Sequence, residues 1–187
     1  MGTELIIMRV FFAIEFDNDI KDYLYKIQQE VRQYSASGNF SLKENFHLTL
    51  RFIGEQNMDQ VDKLKQILRD TAQFQEFQLK LDKMGSFKKG NRSIIWVGLE
   101  KSIQLQQLYN NMENTLSQNG YQKEERSYNP HITLAREVKI VDFSSLVEQT
   151  EIEKLIVKVK SISLMESKRI NDKLAYIPME RAQLLLS

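Results

Sequence analysis

A chain of 187 residues and 22.0 kDa is long enough for one domain of ordinary size or two small lobes sharing a core. Its 42% hydrophobic and 27% charged residues are globular proportions, which exclude a disordered, collagen-like or coiled-coil chain. The 26 Lys+Arg nearly cancel the 25 Asp+Glu, and there are no cysteines, so no whole-molecule field draws in a polyanion, and disulfide scaffolds, thiolate zinc sites and cysteine nucleophiles are excluded.

No apolar run approaches the ~20 residues of a membrane helix. The start, Met1-Gly2-Thr3-Glu4, lacks the basic stretch and cleavage site of a signal peptide, so a cytoplasmic location and no membrane partner are expected. Residues 1–7 precede Met8 and read as an extension; the domain is taken as 8–187.

Arg9 to Phe16 (RVFFAIEF) is apolar and aromatic, which predicts a buried strand. Asp17-Asn18-Asp19 opens a helix whose inner stripe is Ile20, Leu24, Ile27, Val31 and Tyr34. Ser35 to Asn39 reads as a turn, Phe46 to Ile53 as a strand ending at Gly54, and Val61, Leu64 and Leu68 mark a second helix. Phe77 to Met84 alternates as a strand with one wet face. Lys88-Lys89-Gly90-Asn91 connects it as a hairpin to a strand at Ser93 to Leu99. A third helix presents Leu105, Leu108, Met112 and Leu116 and stops at Asn119-Gly120. A strand at His131 to Ala135 follows, then two closing strands within 152–164 and 174–184.

Strand, helix and histidine-bearing strand occur twice, at 9–52 and 93–136. That offset is too long for a solenoid and fits two similar lobes. The expected class is α+β, two similar lobes with helices packed on one face of each sheet.

The chain has two histidines, in His47-Leu48-Thr49-Leu50 and His131-Ile132-Thr133-Leu134. With 6 Thr and 21 Leu among 187 residues, chance places Thr at +2 and Leu at +3 after both with odds of roughly one in 10⁵. On a strand, positions i and i+2 share a face, so each strand offers one imidazole and one hydroxyl while the apolar neighbours face the core. Two such strands would give a cleft two imidazoles and two hydroxyls. An imidazole titrates near pH ~6.5, so one ring can accept a proton while the other donates one. The hydroxyls can donate to the non-bridging oxygens of a phosphodiester. Two histidines without a carboxylate cluster are a poor metal site, so neither metal nor cofactor is expected.

These motifs, with RVFFAIEF, FHLTLRFIGE and NPHITLAR, resemble those of the two-histidine (2H) phosphoesterases, and within them the RNA 2′,3′-cyclic phosphodiesterases once named 2′-5′ RNA ligases. The resemblance covers roughly residues 8–180. It implies a bilobal α+β fold, with two pseudo-symmetric antiparallel-rich sheets, helices on the outer faces and a central cleft, and metal-independent hydrolysis of a terminal RNA 2′,3′-cyclic phosphate to a 2′-phosphate. His47 would be the proton donor to the departing 3′ oxygen, His131 the base that activates water, and Thr49 and Thr133 the phosphate clamps. Met165-Glu166-Ser167 and Tyr176 resemble a Glu-Ser…Tyr pattern of the same family.

Four further expectations concern substrate contacts. Arg51, at i+4 from His47, falls on the cleft face by alternation and could grip a phosphate. Arg136, the family's arginine after the second motif, falls on the opposite face unless the strand ends or twists at Ala135. Tyr128, before Asn129-Pro130-His131, is the stacking candidate for a terminal base; Phe12 and Trp96 read as core. Lys88, Lys89, Arg92 and Arg126 could line a path for an RNA backbone or form a solvated rim. The expected partner is RNA with a cyclic phosphate end, acted on by a monomer. A small cyclic nucleotide such as an ADP-ribose cyclic phosphate, RNA-end joining by reversal of the chemistry, and a non-catalytic RNA-end binder are the alternatives.

Overall fold

The computed structural model describes residues 6–186. Of the expected extension 1–7, residues 1–5 lie outside the described residues.

Among the described residues, nine strands form two antiparallel sheets. The first has the order β3 (His47–Gln56), β1 (Met8–Glu15), β8 (Ser161–Ile170), β9 (Lys173–Gln183). The second has the order β2 (Ser35–Phe40), β6 (His131–Ile140), β5 (Arg92–Leu99), β4 (Phe77–Lys89), β7 (Ile156–Val159). Set aside β2 and the two orders superimpose: a histidine strand, the strand that opens its strand–helix–strand unit, then two more. This is the α+β, two-lobed architecture that the duplicated pattern predicts.

The helices start where their caps dictate. Asp17 Oδ1 accepts from Ile20 N at 3.2 Å to open α1 (Asn18–Gln33). Asn57 and Gln60 exchange side-chain and backbone hydrogen bonds, a reciprocal cap on α2 (Met58–Thr71). Ser102 caps α3 (Ile103–Gln118), and Gly120 at φ 88° lets the chain leave it.

Two helices, α1 and α3, cross between lobes. α1 follows a strand of the first sheet but docks on the second: Gln28 Nε2 donates to the Leu134 carbonyl of β6 at 2.7 Å. α3 follows a strand of the second sheet but docks on the first: Glu113 takes Arg51 Nε of β3 at 2.6 Å. Each lobe is therefore closed by the other's helix. The main core lies on the helix-covered faces, where Leu48, Leu50, Ile132 and Leu134 are all buried. The opposite faces are left for the cleft.

Three expectations change. Ser35–Asn39 is not a turn but most of β2, an edge strand held by β6 through an irregular register. The 152–164 strand is two strands, β7 and β8, in different sheets, with the switch at Lys160. A fourth helix, α4 (Phe143–Gln149), adds to the three expected; Asp142 caps it through Ser145 N at 3.1 Å, and with a single buried residue, Leu146, it has no apolar stripe to read. Among the described residues, no helix is long and apolar enough to cross a membrane.

Candidate active site

Both histidine strands begin in the same way. The carbonyl of the residue two before each histidine takes its Nδ1–H: Asn45 O for His47 and Asn129 O for His131, each at 2.7 Å. A carbonyl only accepts, so Nδ1 carries the proton in each ring and the Nε2 lone pair remains for chemistry. The duplicated unit is thus Asn-x-His-x-Thr-Leu, six residues long, and the Asn at −2 is the signal that the four-residue motif missed. Asn45 does more than its counterpart. Its buried side chain donates to Leu174 O at 2.8 Å and accepts from Tyr176 N at 3.2 Å, which pins the start of β3 to β9.

The rings differ at Nε2. Thr49 Oγ1 donates to His47 Nε2 at 2.8 Å, the geometry expected of two strand residues sharing a face. His131 Nε2 has no hydrogen-bond partner among the described residues.

Each imidazole sits between aromatic rings. His47 packs at 4.9 Å from Phe11 and at 5.0 Å, edge-on, from Tyr176. His131 packs at 5.0 Å from Phe87 and 6.1 Å from Trp96. Trp96 lies flat across its sheet because Gly85 has no side chain: a Cβ there would fall 2.2 Å from the indole. Phe11, Ala13, Met165 and Tyr176 form a small apolar cluster separate from the main core, lining the first sheet's cleft face.

Burial among these rings pushes the His47 pKa down to about 4; the Asn45 hydrogen bond opposes this, and the charges of Arg136, His131 and Lys21 add to it. Burial likewise lowers the His131 pKa, with Arg136 adding and the Asn129 bond opposing. Two conclusions follow. Both rings are neutral at neutral pH in the free protein. A charge on His131 would reach His47 across the cleft, and Arg136 acts on His47, His131 and Tyr176 together.

A bulge explains why Arg136 is there. Between Thr133 and Ala135, β6 spends two steps while β5 spends one, so Leu134 and Ala135 are both buried and the alternation flips. Arg136, five residues from His131, returns to the histidine face. The break lies at Leu134, not Ala135, and Gln28 holds it. That residue is 0% exposed and donates to both Leu134 O and Ser41 O.

β3 carries the same bulge at Leu50, and it reverses the expectation for Arg51. Alternation put Arg51 in the cleft; the extra residue turns it to α3. There Nε donates to Glu113, Nη1 to Phe52 O and Nη2 to Gln122 O at 2.7 Å, so its donors are engaged within the protein. The position matching Arg136 is Phe52, 46% exposed, opposite Phe11 across the sheet and under the Arg9 guanidinium at 5.0 Å.

Tyr128 is also placed differently from the expectation. Its ring stacks on Tyr109 at 4.1 Å and 3°, and its hydroxyl donates to Thr49 O at 3.0 Å. Burial raises its pKa strongly. It braces the backbone of β3 from the loop that leads to His131, and its ring already has a stacking partner. Thr133 lies on the same face as His131, and its hydroxyl makes no hydrogen bond among the described residues. Phe12, at 0% exposure, is core as expected, but Trp96, read as core with it, is half-buried on the cleft face beside His131. Arg92 is used at the sheet edge, donating to Ser37 Oγ at 2.7 Å and Glu137 O at 3.2 Å. Tyr176, from the Glu-Ser…Tyr resemblance, stands opposite Ser167 and against His47.

Two pseudo-symmetric antiparallel lobes, each bringing a His-x-Thr-Leu strand to one cleft, are the architecture of a two-histidine phosphoesterase. The chain belongs to the 2′-5′ RNA ligase superfamily, whose family model matches residues 23–171. It is 35% identical over 136 residues, 72% of this chain and 74% of the relative, to the RNA 2′,3′-cyclic phosphodiesterase of Methanocaldococcus jannaschii. It is 29% identical over 163 residues, 86% and 87% of the two chains, to that of Thermotoga maritima. In fold it is similar to Escherichia coli LigT in complex with 3′-AMP, at TM-score 0.78 and 24% identity, over 96% of this chain and 99% of that one.

Proposed function

We propose that this protein is a metal-independent RNA 2′,3′-cyclic phosphodiesterase that opens a terminal cyclic phosphate to a 2′-phosphate by paired imidazole catalysis. The reading rests on one observation above all. Both imidazoles have Nδ1 tied to a carbonyl, which leaves Nε2 of each as the reactive atom within electrostatic reach of the other. The donor set of two imidazoles and two hydroxyls suits proton transfer and phosphate binding better than a divalent cation. The names of the relatives in Methanocaldococcus jannaschii and Thermotoga maritima support the substrate class.

In the proposed reaction His131 Nε2 takes a proton from water, and the water oxygen bonds to phosphorus. The P–O3′ bond breaks, and His47, protonated on Nε2, gives its proton to O3′. The product carries a 2′-phosphate and a free 3′-hydroxyl; His131 leaves the step protonated and His47 neutral, and exchange with solvent restores both. The unpartnered Nε2 of His131 supports its role as the base.

His47 is neutral in the free protein, so its role as acid depends on the substrate. The bound phosphate anion stabilises the imidazolium and raises the pKa from about 4. Protonation also frees Thr49: its hydroxyl can no longer donate to Nε2 and turns to a non-bridging phosphate oxygen. Thr133 and Arg136 meet the phosphate from the other lobe, where negative charge builds in the transition state.

The test is product analysis on an oligoribonucleotide ending in a 2′,3′-cyclic phosphate, with a chelator present. The expected product is the 2′-phosphate. A 3′-phosphate would reverse the roles of the two oxygens, and failure to turn over until a divalent metal is added would end the mechanism.

A further inference from the structure

Two grooves leave the histidine pair, and their chemistry differs. One, of about 500 Å³, starts at Trp96, Gly98 and Asn129 beside His131 and runs to the start of α3. Its charges cancel, Lys83 and Lys101 against Asp82 and Glu100. The other, of about 630 Å³, starts at Asn45, Tyr176 and Arg136 beside His47 and runs between β2 and the β8–β9 hairpin. It is lined by Arg32, Arg136, Arg169 and Lys173 against Glu137 and Asp172.

The cations of the second groove are poised rather than satisfied. Elsewhere Arg51, Arg69, Lys154 and Arg181 are in ion pairs. Among the described residues, none of Arg32, Arg136, Arg169 and Lys173 is. Two of the guanidiniums are also held in place. Arg32 lies over the Phe40 ring at 3.9 Å, and Arg169 Nη1 donates to Asp172 O at 2.9 Å across the hairpin tip, where Asn171 and Asp172 take positive φ. A planar cation fixed by a ring or a carbonyl keeps its remaining N–H groups for an anion at little entropic cost.

We propose that this groove binds the single-stranded RNA chain on the 5′ side of the cyclic end, with Arg169 and Lys173 contacting the phosphodiesters that precede the reacting nucleotide. The inference rests on the function proposed above and deepens it: the enzyme is built for oligonucleotide ends rather than free nucleotides. The charge difference decides between the grooves, because a polyanion gains from four unpaired cations and gains nothing from the balanced side. It also answers the net charge of +1, which leaves binding to a local basic site.

The test compares kcat/KM on a nucleoside 2′,3′-cyclic phosphate and on a hexanucleotide with the same cyclic end, in wild type and in Arg169→Gln/Lys173→Gln. Both residues are exposed on the hairpin, so the double variant should melt as the wild type does. We expect the hexanucleotide to be favoured at least tenfold by the wild type. The double variant should lose most of that advantage and keep its mononucleotide rate. In parallel, anisotropy of a labelled hexanucleotide ending in a 3′-phosphate, titrated with salt, should show a log–log slope shallower by about 1.4 in the variant, two phosphate contacts at ~0.7 each. Equal wild-type rates on the two substrates, or equal losses on both in the variant, would overturn the groove and leave the function standing. Hexanucleotide binding that the variant weakens, with no hydrolysis of either substrate by the wild type, would overturn the function and leave the groove.

Discussion

The two imidazoles start neutral, and that sets the pH dependence. The proposed mechanism needs His47 protonated while His131 stays neutral, yet burial lowers both pKa values, that of His47 to about 4. The acid form of His47 therefore becomes scarce as pH rises through the acid range, so kcat/KM should be greatest well below pH 6.5 and fall towards neutrality. The bound anion raises both values, so the profile of kcat, which reports the complex, should lie at higher pH than that of kcat/KM. Coincident profiles would contradict the substrate-raised His47. Arg51 belongs to the scaffold at the same scale. Arg51→Met strands Glu113, 6% exposed, and should cost on the order of 3 kcal/mol in chemical denaturation with KM little changed. A KM rise with unchanged stability would return Arg51 to the substrate.

At the scale of elements, the bulges do the sorting. One extra residue, the Leu that closes each His-x-Thr-Leu, carries Arg136 into the cleft and Arg51 out of it. Gln28→Leu removes the bonds to the Leu134 and Ser41 carbonyls and should raise KM several-fold while costing about 1–3 kcal/mol; unchanged KM would show that the bulge needs no such support. Gly85→Ala should displace Trp96 and with it the wall of His131, visible as a shift in indole fluorescence and a loss of turnover. These devices mark where the sequence was legible and where it was not. The histidine and threonine positions follow from strand periodicity and the repeat, and both fall on cleft-facing strands. The bulges carry no local signature: Thr-Leu-Arg and Thr-Leu-Ala read as regular alternation, and only pairing with β1 and β5 reveals the extra residue. Tyr128 failed as a free stacking ring for a similar reason, since its partner Tyr109 lies on α3, distant in sequence. β2, polar and glycine-bearing, is a strand only because β6 gives it an edge to pair with.

For the whole molecule, the exchange of helices ties the lobes together, and the cleft histidines make stability depend on pH. A His buried neutral, with a folded pKa of about 4 against ~6.5 unfolded, lets the unfolded chain bind the proton first. Its contribution is unaffected above about pH 6.5 and turns against the fold as pH drops through that window, by roughly 3 kcal/mol at the bottom. Glu15 acts in the same sense at lower pH. Burial raises its pKa, but hydrogen bonds from Arg181 and Ser163 outweigh this and hold it below the usual carboxylate value, so its stabilisation is lost on further acidification. Denaturation midpoints should therefore fall between pH 6.5 and 4, and His47→Gln should flatten much of that fall; an unchanged slope in the variant would place the acid sensitivity elsewhere.

The most direct measurement is single-turnover cleavage of a 2′,3′-cyclic phosphate RNA end by His47→Ala, His131→Ala and the double variant. Each single change should cost ~10²–10⁴-fold, and the double should fall far short of the product of the two losses, because in the proposed mechanism the imidazoles act as one proton-transfer unit. A single variant that cleaves at nearly the wild-type rate would contradict the account.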